Sequence, residues 1–176
     1  GCVSCNSVTI RTGSPGNWVS IDNNGLALRC WWSVDDAKLD DSEPISGINR
    51  IYIVLPEVFG LNAWVRSVAD RLAAQGLPAL AIPLFARSAP DLDLSYKASD
   101  LAQGRRHKDA TTTSQILSDL SVAITWLEQR CPVCGGRSIF TARVSAPCAP
   151  EADRLLWICC LRSPVLSTAS AAPPIP

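Results

Sequence analysis

Ile51-Tyr52-Ile53-Val54-Leu55 is an unbroken apolar run of β-favouring residues. It is short for a helix and too uniform for a strand with one wet face, so it suits a strand buried on both faces of a parallel sheet. Asn62 can cap a helix after it. Val65, Val68, Ala69, Leu72 and Ala73 then recur on one helical face, and Gly76 stands where a C-cap belongs. Leu80-Ala81-Ile82 follows as a second short apolar run, bracketed by Pro78 and Pro83. Strand, helix and strand in this order form a βαβ unit with a right-handed crossover.

Short β-favouring runs precede this unit at Ser7–Ile10 and Trp18–Ile21. Asn23-Asn24-Gly25 is a hairpin turn signal, because Asn and Gly accept positive φ, and Leu26–Trp32 reads as the returning strand. Asp35–Gly47 is acidic and polar, a surface loop. After the unit, Asp91–Asp109 is polar without an apolar period and reads as an excursion. Ile116, Leu120, Ala123, Ile124 and Leu127 then mark an amphipathic helix over about 110–129. The fold class expected is α/β: short N-terminal antiparallel strands, then βαβ units of a mostly parallel, incomplete sheet. In such sheets ligands gather at the carboxyl ends of the strands.

A seam falls near residue 130. Residues 131–176 hold five of the eight Cys, seven of the thirteen Pro and no Lys, and end in a Ser/Thr/Ala/Pro run. The expected division is therefore 1–130, a globular part, and 131–176, a Cys/Pro/Ser/Ala-rich tail. Over the whole chain 16 basic residues balance 16 acidic ones, against a nucleic-acid binder working through a basic surface. With 47% apolar and 18% charged residues, wholesale disorder is excluded. No apolar run is long enough for a membrane span. Met is absent, which fits a fragment or a processed product.

Two strand-end segments carry candidate chemistry. Leu55-Pro56-Glu57-Val58-Phe59-Gly60-Leu61-Asn62 places a carboxylate in an apolar setting at the end of the first parallel strand. By itself Glu57 could simply be an acid near a helix N-terminus, which the helix dipole favours. Pro83-Leu84-Phe85-Ala86-Arg87-Ser88 brings Arg87 out on the same edge, as a surface cation, an ion-pair partner or a ligand anchor.

Those two segments, with Ala69-Asp70-Arg71-Leu72-Ala73-Ala74-Gln75-Gly76 between them, resemble the dienelactone hydrolase family in order and spacing over roughly residues 8–130. Leu77 departs from the aromatic usual after the helix Gly. The resemblance implies an α/β-hydrolase fold, no cofactor, a cytoplasmic setting, and cleavage of small lactones or esters by a Cys-His-Asp triad. It implies that Glu57 interacts with the nucleophilic thiol, that the Val58 backbone N–H contributes to the oxyanion hole, and that Arg87 pairs with the substrate carboxylate. The family's nucleophile sits on a G-x-C-x-G elbow, where a thiolate is exposed beside a backbone N–H.

The triad itself finds no match. Cys134 stands two residues before Gly136, as the nucleophile would, but Pro132-Val133 replaces the first half of the motif and no apolar strand leads into it. His107, the chain's one His, precedes that point and lies in a basic, solvated stretch. Asp153 has no matching context. The break fits a frameshift or truncated gene model, which the other two reading frames of the gene would test. This chain is therefore expected to be inactive, with exposed strand edges and a poorly ordered tail.

Two other functions compete. One is a non-catalytic small-anion-binding module using Glu57 and Arg87. The other is a Cys-rich metal-binding protein using Cys131, Cys134, Cys148, Cys159 and Cys160, although the adjacent Cys159-Cys160 cannot easily face one ion. Cys2-x-x-Cys5 lies on the far side of the βαβ unit, and Gly1-Cys2-Val3-Ser4-Cys5 lacks the Ser or Thr of a myristoylation signal. No metal is expected. The partner expected is a small molecule, with neither nucleic acid nor membrane, and the oligomeric state is left open.

Overall fold

In the computed structural model, the described residues are 16–35 and 50–130, together with the backbone of 140–145 and 155–162. The Ser7–Ile10 strand and most of the 35–47 loop fall outside them.

The chain opens with a hairpin of β1 (Gly16–Asn23) and β2 (Leu26–Ser33). Asn24 and Gly25 form its turn with φ of 54° and 89°, the two positive values that match the twist of the strands. In β2, Leu28, Cys30 and Trp32 are buried, while Ala27 before them and Arg29 between them are exposed and Trp31 is half-buried, a period of two. β3 (Arg50–Leu55) is followed by α1 (Ala63–Ala73) and β4 (Ala79–Ala81), with β3 and β4 parallel. This is the βαβ unit that the apolar runs predict. Asn62 caps α1 by accepting the Val65 N–H at 3.1 Å, and Gly76 leaves it at φ 76°.

The sheet order is β1-β2-β4-β3-β6-β5, where β5 is Phe140–Ser145 and β6 is Leu155–Arg162. It is mixed: β3–β4 is parallel, and every other pair among the described strands is antiparallel. β3 and β4 therefore have no open edge, contrary to expectation, since β2 covers β4 and β6 covers β3. The reason lies in Leu155-Leu156-Trp157-Ile158-Cys159-Cys160-Leu161, an apolar run of strand length that the overall bias of the tail conceals. Residues beyond 130 thus extend the sheet.

Both faces of β3 and β4 are covered. Tyr52, Val54, Ala79 and Ala81 belong to the layer under α1, with Val65, Val68 and Ala69. Ile51, Ile53, Leu80 and Ile82 belong to the opposite layer, with Ala123 and Leu127 of α3 (Thr113–Arg130). Burial on two sides is what makes these strands continuously apolar.

The polar stretch after β4 contains a helix, α2 (Ala98–Asp109), where sequence reading expects an excursion. It has no apolar stripe because Gly104 is its one buried residue. It is supported at its ends instead. Asp100 in the first turn accepts the Ser95 N–H at 3.0 Å, and Arg106, His107 and Lys108 occupy the last turn, where the helix dipole favours cations.

Candidate active site

Because β3 and β4 are parallel neighbours, the loops that leave them emerge on the same edge of the sheet. These loops carry Glu57 and Arg87.

The first loop is held from three directions. The Gly60 N–H donates to the Glu57 carbonyl at 3.3 Å, closing a turn in which Gly60 takes φ 76°. The same loop is strapped to the chain after β4: Leu61 N–H donates to Leu92 O at 3.0 Å, and Leu94 N–H to Phe59 O at 2.9 Å. A side chain on Gly60 would overlap the Leu92 carbonyl. Phe59 is fully buried and meets Tyr96 edge to face at 4.7 Å. The third support is α2, whose Gly104 lies so close to the Val58 carbonyl that a Cβ there would overlap it. Glu57 is buried at 8% exposure, and Val58 is half-buried.

The second loop turns at Phe85, whose carbonyl accepts the N–H groups of Ser88 and Ala89 at 3.0 and 2.8 Å. Arg87 then reaches α3. Its Nη1 donates to Asp119 Oδ2 at 2.6 Å and its Nη2 to Asp119 Oδ1 at 3.0 Å, a bidentate pair. Asn23, the last residue of β1, donates its Nδ2 to Asp119 Oδ1 at 2.6 Å and to Ser118 Oγ at 3.2 Å. Asp119 is fully buried, while 31% of the Arg87 side chain meets solvent. The carboxylate that Arg87 forks is therefore Asp119.

Sequence reading passed over Asp119 and took Asn23 only as a turn residue. A signal existed. Asp119 stands three residues after Ile116 and four before Ala123, inside the apolar register of α3. A charge at such a position must be paired, because isolated burial of a carboxylate is costly.

Asp119 also acts on Cys30. Burial first, and the Asp119 charge second, push the Cys30 thiol from 9.0 up to about 12. The folded protein then holds this proton at pH values where the unfolded chain releases it. The resulting stability is complete below pH 9 and is lost as pH rises towards 12. Against a Cys30→Val variant, the wild type should lose up to about 1.4 kcal/mol per pH unit above that point. Urea midpoints between about pH 8 and 10.5 check this. Parallel curves for the two proteins would refute it.

His107 sits in the last turn of α2, half-buried, with Nδ1 3.0 Å from Ser88 Oγ. Cys134 and Asp153 lie outside the described residues. Among the described residues, no group of three or more His, Cys, Asp or Glu could hold a metal ion, and no helix is long and apolar enough to cross a membrane.

Known proteins resemble this chain in the region that builds these loops. The sequence pattern of the dienelactone hydrolase family matches residues 44–141, more than half of the chain. A protein of Synechocystis sp. assigned as a carboxymethylenebutenolidase is 35% identical over 88 residues, covering 49% of this chain and 36% of its own length. A crystal structure assigned as a dienelactone hydrolase, from Klebsiella pneumoniae subsp. pneumoniae, superposes with a TM-score of 0.50 at 23% identity. It covers 65% of this chain and 43% of that one. The structural likeness establishes the fold, and the chain spans little more than a third of the curated relative.

Proposed function

This chain belongs to the dienelactone hydrolase family, and from that membership we propose that its two strand-end loops form the carboxylate-binding side of a site for small lactones and esters. In the complete domain the reaction is hydrolysis by a Cys-His-Asp triad. Arg87 pairs with the substrate carboxylate, Glu57 interacts with the nucleophilic thiol, and the Val58 N–H donates to the oxyanion. A cytoplasmic setting belongs to the same reading, because a reducing compartment keeps an exposed thiol from oxidation.

One observation carries this reading: a guanidinium at the carboxyl end of β4 that is anchored on a buried acid and still partly open to solvent. A hydrogen bond to a charged group contributes about 1.5–3 kcal/mol. Removing the Arg87 contact should therefore weaken carboxylate binding by roughly 10- to 100-fold. The test is a calorimetric titration with dienelactone and with its uncharged methyl ester. The wild type should favour the carboxylate, and Arg87→Ala should bind both alike. Equal preference in the two proteins would remove Arg87 from the site.

A further inference from the structure

Asp119 lies beneath Arg87 with its side chain fully buried, while Arg87 stays 31% exposed. We propose that Asp119 is a positioning residue for carboxylate recognition, holding the Arg87 guanidinium by one edge so that another edge is offered to the ligand. The proposal rests on the reading of Arg87 as the carboxylate anchor.

The donor inventory of the group supports it. A guanidinium carries five N–H groups in one plane. Asp119 takes one from Nη1 and one from Nη2, the two ends of the fork. The Nε–H and the second Nη2 hydrogen form a parallel pair along the side of the group, at the right spacing for a second planar carboxylate. Asn23 fixes the orientation of the acid, since its Nδ2 bonds the same Oδ1 that receives Nη2. Asn23 comes from β1, Arg87 from the loop after β4, and Asp119 from α3, so three separate elements meet at one carboxylate.

The arrangement also sets the charge. Arg87 and Asp119 together are neutral, so a ligand gains little long-range attraction and is selected by directional hydrogen bonds. Carboxylate binding should therefore change little with ionic strength. The sign of the Asp119→Asn effect is diagnostic. If Asp119 only opposes the anion, removing its charge tightens binding. If it positions Arg87, removal weakens binding, because the ligand must then order a flexible side chain.

The experiment repeats the two-ligand titration on the full chain at low and high salt, with wild type, Arg87→Ala, Asp119→Asn and Asn23→Ala. Asp119→Asn should lose roughly three- to tenfold of the carboxylate preference and become salt-sensitive. Asn23→Ala should shift the same way by less. A folded Asp119→Asn that binds dienelactone as tightly as the wild type, or more tightly, overturns the positioning role and leaves Arg87 as the anchor. An Arg87→Ala protein that keeps the preference overturns the anchor reading and the proposal with it. If Asp119→Asn fails to fold, Asn23→Ala and the arginine side-chain NMR signals of the wild type decide. Hindered rotation, seen as separate Nη signals for Arg87, is expected, and a single averaged signal overturns the proposal.

Discussion

The purified 176-residue chain is expected to bind dienelactone without hydrolysing it at an enzymatic rate. The family reaction needs a thiolate on an elbow, a base and an orienting acid. No G-x-C-x-G segment occurs anywhere in the chain, and its one histidine is His107. That residue belongs to α2 and places Nδ1 3.0 Å from Ser88 Oγ, a partner that is no part of the family's triad. On the proposed reading, what remains is binding and oxyanion stabilisation. Loss of a complete triad lowers kcat about 10⁶-fold, so a typical value of about 10 per second falls to roughly 10⁻⁵ per second. Dienelactone absorbance, followed over hours at high protein concentration, measures this. Turnover near 1 per second or faster that vanishes both in Cys134→Ser and in His107→Gln would show instead that those two residues act together.

Asp119→Ala should be among the most damaging single substitutions in the chain. Asp119 is completely buried and accepts Arg87 twice and Asn23 once. Alanine would leave a partly exposed guanidinium and a buried amide facing the hole where their acceptor was. Breaking a buried pair by removing one partner costs about 3–5 kcal/mol, a large share of a total stability of about 5–15 kcal/mol. Arg87 is about a third exposed and can turn towards water, which keeps the expected loss at the lower end of that range. Replacing all three residues together, as Asp119→Leu with Arg87→Leu and Asn23→Leu, should cost less than the sum of the three single changes, because no buried member of the network is then left unpaired, and Ser118 and Asn24, which also lose Asn23, are exposed to water. Urea unfolding of the single and triple variants checks both statements. A loss below about 1 kcal/mol for Asp119→Ala would refute the expected size of the effect and mean that the network contributes little to the fold.

These expectations separate what is local in this protein from what is not. The β1–β2 hairpin, the two-faced burial of β3, the Asn62 cap and the Gly76 exit from α1 all follow from short stretches of sequence. Each depends on one residue's backbone preference or on a simple period of burial. The family resemblance belongs here too, since its blocks are contiguous in the chain.

The pairings were decided elsewhere. α2 is invisible to a search for apolar periodicity because it docks through a single glycine against the Val58 carbonyl and has no stripe to show. Nothing in Leu155–Leu161 says that it will lie beside Ile51–Leu55, because strand partners are chosen by backbone hydrogen bonds between distant segments. Asp119 announces its burial by standing in the apolar register of α3, yet its partners are 32 and 96 residues away. A local pattern can show that a charge must be neutralised. Only the packing of β1, α3 and the loop after β4 into one place determines that Arg87 and Asn23 do it.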